Sequence, residues 1–134
     1  MVGIVVVSHS PALATAAVEL AREMLHGTDV PITVAAGTAG GATGTDAVRI
    51  ADAISRVASG DGVLVLMDLG SAVLSAELAT ELVGPLDGEI RLSAGPFVEG
   101  LVAAAVTAST GADLDRVAEQ AASALTPKAS HLQH

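Results

Sequence analysis

One histidine and one carboxylate in this chain stand where side chains do chemistry. His9 lies in "VVVSHSPALA" (5–14), where the apolar run Val5, Val6, Val7 stops at Ser8-His9-Ser10 and Pro11 opens a helix-like stretch. Asp68 lies in "VLMDLGSAV" (65–73), just past a second apolar run and just before a second helix-like stretch. An imidazole is a nucleophile when one ring nitrogen is bare. A carboxylate that accepts a hydrogen bond from the other nitrogen fixes the tautomer and orients the ring. Hydroxyls and helix N-termini nearby hold phosphoryl oxygens without a covalent role. His9 as phosphoryl acceptor with Asp68 behind it uses all of these parts. If Asp68 contacts Nδ1, the acceptor is Nε2.

For those two residues to meet, the elements that carry them must be neighbours. Four short apolar runs read as strands: "GIVVV" (3–7), "ITVAA" (32–36), "GVLVLM" (62–67) and "EIRLSA" (89–94). The first three do not alternate polar and apolar residues, as expected of strands covered on both faces. Helical patterns lie between them. Over 11–26, Leu13, Ala17, Leu20 and Met24 share a face, with Ser10 placed to cap, Pro11 in the first turn and Gly27 at the exit. Over 45–59, Ala47, Ile50, Ala51, Ile54, Val57 and Ala58 form an apolar stripe opposite Asp46, Arg49, Asp52 and Arg56. Ser71 is placed to cap a third helix through Leu74, Leu78 and Leu82, which Gly84-Pro85 ends. Residues 97–109 and 113–125 give two more helices, the first of them too apolar to be exposed all round.

This βαβα order predicts an α/β domain: an open, mostly parallel sheet with helices on both faces, strand order around 2-1-3-4, connected by right-handed crossovers. Binding crevices of such sheets lie outside the carboxyl ends of the strands, where the winding reverses. With strand 1 central, that crevice lies between the ends of strands 1 and 3, where His9 and Asp68 stand. One domain is expected over 1–126, with 127–134 as a disordered tail.

Composition narrows the classes further. The chain has 134 residues, a net charge of -9, no cysteine, no Trp, no Tyr and a single Phe, Phe97. Thiol chemistry, disulfides and Cys-based metal sites are excluded. The acidic balance disfavours nucleic acid, which needs Lys and Arg against its phosphates. No apolar run approaches the ~20 residues of a membrane span, and the N-terminus lacks a basic signal region, so a soluble, cytoplasmic protein is expected. "GTAGGATGTDA" (37–47) is glycine-rich but lacks the G-x-x-x-x-G-K-[ST] spacing of a nucleotide loop. It reads as a flexible glycine-rich loop or, alternatively, as a loop that covers the crevice with Thr45 facing phosphate. No G-x-S-x-G elbow accompanies Ser8 or Ser10, against a serine hydrolase. No aromatic is available near the strand ends to stack on a flavin. His26, His131 and His134 lie far from His9, so no metal and no resident cofactor are expected.

At "VSHSPALA", "AAGT" (35–38), "GTDAV" (44–48), "VLMDLGSAVLSAE" (65–77) and "GPFVEGLVAAAVTASTGADLDRV" (95–117) the chain resembles the phosphotransferase subunit of phosphoenolpyruvate-dependent dihydroxyacetone kinases. The first domain of that subunit is similar to mannose-class enzyme IIA domains of the sugar phosphotransferase system. The resemblance covers about residues 1–125. It implies an α/β homodimer with a phosphohistidine at His9, supported by Asp68. It further implies the phosphocarrier protein HPr as donor and, as acceptor, ADP held on the ADP-binding subunit of the kinase. Fused carrier domains occur in some members, and a separate phosphocarrier is expected for this chain. The N–H groups near Ser10, Gly70 and Ser71 and the hydroxyls of Thr38 and Thr45 would then be the phosphate donors. Neutral donors hold an anion more weakly than an Arg clamp, which suits a relay. An acidic surface suits docking to a basic rim on HPr. The alternatives are a mannose-type sugar IIA component and a non-catalytic regulatory binding module on the same fold.

Overall fold

The computed structural model describes residues 1–38 and 44–133. In chain order the elements are β1 (Gly3–Ser8), α1 (Pro11–Glu23), β2 (Ile32–Ala36), α2 (Ala47–Val57), β3 (Val63–Met67), α3 (Gly70–Leu82), β4 (Ile90–Leu92), α4 (Phe97–Ser109), α5 (Leu114–Ala122) and α6 (Thr126–Leu132). The four strands form one sheet in the order β2-β1-β3-β4, and every pairing is parallel. This is the expected α/β architecture, and β1 is flanked by β2 and β3.

The unbroken apolar run of β1 follows from this position. Successive side chains of a strand point to opposite faces. Ile4 and Val6 join a core with Ala14, Ala17 and Ala21 of α1, Leu101, Ala104 and Ala108 of α4, and Val117 of α5. Val5 and Val7 join the opposite core with Ile50, Ile54 and Val57 of α2 and Ala72, Ala76 and Ala79 of α3. Both faces are covered, so neither set is polar.

Two helices turn differently from the expectation. In α1 the buried residues are Ala14, Ala17 and Ala21, while Leu13, Leu20 and Met24 are exposed. The expected stripe shares only Ala17 with the buried one, an offset of about one residue, or ~100° of rotation. In α3 the alanines Ala72, Ala76 and Ala79 face the sheet, while Leu74 is 73% exposed and Leu78 and Leu82 about half exposed. The physical reason is separation: alanines at the contact let the helix lie close to the strands, and leucines there would hold it off. In α2 the expected stripe is the buried one, with Ile50, Ala51, Ile54 and Val57 inside.

The segment expected to fray from Pro127 instead forms α6, none of whose described side chains is buried. Pro127 suits its first turn, and the Lys128 ammonium pairs with the Glu99 carboxylate of α4. Close packing recurs where β4 leads into α4. A Cβ on Gly95 would sit 2.3 Å from the Ala121 carbonyl oxygen of α5, so only glycine fits this approach. Among the described residues no helix is long and apolar enough to cross a membrane.

Candidate active site

Parallel pairing of β1 with β3 runs to Val7 opposite Met67. One further backbone bond, Asp68 N–H to the Val7 carbonyl at 3.1 Å, carries the register past the ladder. The next residues on each chain, Ser8-His9 and Asp68, are therefore brought side by side at the carboxyl end of the sheet.

Asp68 receives four hydrogen bonds. Its Oδ1 accepts from the Leu69 N–H at 2.8 Å and stands 3.0 Å from His9 Nδ1. Its Oδ2 accepts from the Ser8 hydroxyl at 2.9 Å and the His9 N–H at 3.0 Å. A carboxylate offers about four lone-pair positions, and all are taken. Burial alone would raise this carboxyl, whose side chain is 6% exposed. The bonds from His9, Ser8 and Leu69 outweigh that and hold it below its ordinary value. Asp68 is thus an anion, and the His9 proton on that side belongs on Nδ1, where it donates to Oδ1. The neutral ring then presents a bare Nε2.

Nε2 lies on the open side of the site. The His9 side chain is 24% exposed, and the Ser71 hydroxyl stands 2.6 Å from Nε2. With Nδ1 as the donor to Asp68, Ser71 donates to Nε2. The expectation that Ser71 caps α3 is corrected here. The helix opens at Gly70 with Leu69 at the cap position and no side-chain cap bond, so Ser71 lies inside the first turn and its hydroxyl is turned to His9. Gly70 borders open space, with nothing within 4 Å of the position of a Cβ. Ser71 brings the opening turn of α3 against Nε2; the Ala72 N–H there bonds the Leu69 carbonyl at 3.0 Å, and the first N–H groups of a helix lack i−4 partners within it.

The remaining expected donors are committed in different ways. Ser10 caps α1, its hydroxyl accepting from the Leu13 N–H at 3.2 Å. The Ser10 N–H goes to the Ser8 hydroxyl at 3.0 Å. Gly44 donates its N–H to the His9 carbonyl at 3.0 Å, which ties one end of the 37–47 loop to the site. Beside it, the Thr45 hydroxyl pairs with that of Ser75 on α3 at 2.7 Å. The Thr38 carbonyl accepts from Arg49 Nη1 at 2.8 Å, and the Thr38 methyl lies 3.1 Å from where a Cβ on Gly44 would be, so the loop ends meet. Residues 39–43 of that loop lie outside the described residues. Among the described residues no three His, Asp or Glu side chains converge as a metal site.

Two residues of the site escaped sequence reasoning as site residues. Ser75 lies one turn beyond Ser71 on the same face, a spacing that could have drawn attention to it. Ser8 is fully buried, and its only signal is a hydroxyl closing an apolar strand.

Comparison with known proteins shows the family. Residues 3–118 match the EIIA-man family, described as PTS system fructose IIA component. The chain is 48% identical over 135 residues, 98% of its length, to the PEP-dependent dihydroxyacetone kinase phosphoryl donor subunit DhaM of Escherichia coli (strain K12), and spans 29% of that relative's length. It is 33% identical to the PTS-dependent dihydroxyacetone kinase phosphotransferase subunit DhaM of Lactococcus lactis subsp. lactis (strain IL1403), covering 88% of this chain and 91% of that relative. The crystal structure of the unknown-function protein EF1359 superposes with a TM-score of 0.78 at 34% identity, over 90% of this chain and 92% of that one. The chain belongs to the EIIA-man family of the phosphotransferase system and groups there with the DhaM phosphoryl donor subunits of dihydroxyacetone kinases.

Proposed function

We propose that this chain is a phosphoryl relay in which His9 Nε2 takes a phosphoryl group from the phosphocarrier HPr and passes it to ADP on the ADP-binding subunit of a dihydroxyacetone kinase. In the first step the phosphorus–nitrogen bond of the donor breaks as a bond to Nε2 forms. The Nδ1 proton stays on the ring, shared with Asp68 Oδ1. In the second step the Nε2–phosphorus bond breaks and the terminal oxygen of ADP takes the phosphorus. Ser71 leaves Nε2 and donates to a phosphoryl oxygen, and the first turn of α3 supplies N–H groups to the others. Ser10, Thr38, Thr45 and Gly70 complete the rim. Association as a homodimer and a cytoplasmic setting belong to the same reading.

The single observation that carries it is the pairing of His9. One ring nitrogen rests 3.0 Å from a saturated carboxylate, and the other faces a lone hydroxyl at the exposed side. A purely structural histidine has no need of a bare, accessible nitrogen. The pathway is supported by the relatives, which are phosphoryl donor or phosphotransferase subunits of dihydroxyacetone kinases. The family description, a fructose IIA component, supports the second reading of a sugar phosphotransferase component.

Incubation with phosphoenolpyruvate, enzyme I and HPr tests the relay. Intact-mass analysis is expected to show one added phosphate, labile in acid and stable in base. Uptake that persists in His9→Ala refutes the assignment, and no uptake by the wild type leaves a regulatory binding module. Co-purification with the ADP-loaded kinase subunit, rather than with a sugar permease component, decides between the two pathways.

A further inference from the structure

The Ser8 hydroxyl is fully buried and makes two bonds that no other described group duplicates in this arrangement. It accepts the Ser10 N–H at 3.0 Å and donates to Asp68 Oδ2 at 2.9 Å. The donor direction is fixed: a hydroxyl has one proton, and an ionised carboxylate has none to give. Ser8 therefore links Ser10, the N-cap residue of α1, to the Asp68 carboxylate from a fully buried position.

Without this bond Oδ2 keeps only the His9 backbone N–H. The carboxylate plane is set by its two ends together. Oδ1 is shared between Leu69 and His9 Nδ1, so a rotation that relieves Oδ2 misaligns the bond that fixes the imidazole tautomer. We propose that Ser8 is a positioning residue for phosphoryl transfer: its buried hydroxyl holds Asp68 in the orientation that keeps the proton on His9 Nδ1 and leaves Nε2 bare. This deepens, and rests on, the relay function proposed for His9. It assigns the residue before the histidine a role of its own, acting through Asp68 rather than on the phosphoryl group.

The alternative is that Ser8 only fills space. The two roles order two substitutions oppositely. Ser8→Ala removes the hydroxyl and leaves room. Ser8→Thr keeps the hydroxyl and adds a methyl to a fully buried position, which overpacks it. A packing residue makes threonine the more damaging change; a positioning residue makes alanine so. With the full chain and phosphorylated HPr, Ser8→Ala is expected to slow phosphate uptake about 10-fold or more, the scale of lost outer-shell orientation at other sites, while Ser8→Thr restores most of the rate. The imidazole nitrogen-15 spectrum, recorded where the ring is neutral, is expected to show the Nδ1–H tautomer in the wild type and in Ser8→Thr, and a mixture in Ser8→Ala. Unchanged rate and tautomer in Ser8→Ala, or a larger loss in Ser8→Thr, overturns the proposal. Should Ser8→Ala not fold, the wild type decides: a Ser8 hydroxyl proton protected from solvent exchange and close in space to the Ser10 N–H is expected, and one exchanging like an exposed serine refutes it. If the wild type takes no phosphate, the relay reading fails, and the tautomer spectra still judge Ser8.

Discussion

Replacing Asp68 by asparagine keeps the shape of the side chain and removes half of its acceptors. The carboxylate now receives four donors: the backbone N–H groups of Leu69 and His9, the Ser8 hydroxyl, and His9 Nδ1. Asparagine has one acceptor oxygen and one NH₂ group. With the NH₂ at the Oδ2 position it confronts the His9 N–H, a backbone donor that cannot turn away. With the NH₂ at the Oδ1 position it confronts the Leu69 N–H instead, and His9 Nδ1 must become an acceptor. That second arrangement moves the ring proton to Nε2 and blocks the nucleophile. The first arrangement orphans the part-buried His9 N–H, at about 1–3 kcal/mol of stability; the second frees the exposed Leu69 N–H to water at less cost. Transfer is expected to fall by roughly 10²–10⁴, the scale seen when an imidazole loses its tautomer-fixing carboxylate elsewhere. Urea denaturation measures the first quantity and the initial rate of phosphate uptake from HPr the second. The pH dependence has a definite sign. In the folded state the carboxyl lies below its ordinary value of 3.8. Its contribution is therefore complete above that unfolded value and is lost as pH falls through the folded one. The stability gap between wild type and Asp68→Asn is expected to be full at pH 7 and to narrow only in acid below pH 3.8. An Asp68→Asn protein with wild-type transfer and unaltered stability refutes both the hydrogen-bond account and the tautomer argument.

Ser71→Ala removes the hydroxyl 2.6 Å from Nε2 without touching a cap bond, so transfer is expected to slow about 10²-fold, the low end of the range for a positioned donor, while the denaturation midpoint stays put. In α3 the hydrophobicity ranking is inverted: Ala76→Leu, at a fully buried position, is expected to cost about 1–3 kcal/mol by overpacking, whereas Leu78→Ala, half exposed, costs under about 0.5 kcal/mol. Gly95→Ala places a methyl 2.3 Å from the Ala121 carbonyl oxygen, and a loss of about 1–3 kcal/mol is expected from the forced separation of the chain after β4 from α5. Urea titration checks all of these stabilities.

Much of the site was legible because strand order does most of the positioning. Once β1 is central, residues just past β1 and β3 must meet, and "SHS" and "MDLGS" stand there. The α2 stripe was equally plain, since its apolar and charged residues divide cleanly. In α1 and α3 the reading followed the large side chains, but contact with a sheet selects for closeness, and alanine wins over leucine there. The type of Ser71 suggests a cap; only the register of the helix start, with the cap position two residues earlier at Leu69, frees its hydroxyl for His9. The role of Ser8 rests on a bond between elements 60 residues apart, which no local pattern encodes. The helix over Thr126–Leu132 buries no described side chain, so no apolar periodicity could announce it.

The inward alanines and outward leucines have a calorimetric consequence. The heat capacity of unfolding reflects apolar surface newly wetted. Leu13, Leu20, Met24, Leu74, Leu78 and Leu82 already meet water in the folded chain, and each alanine that replaces them inside contributes little area. The increment for the isolated chain should therefore lie below the ~12–15 cal/mol/K per residue of ordinary domains. A smaller increment flattens the dependence of stability on temperature, so the chain loses little on cooling and resists cold denaturation.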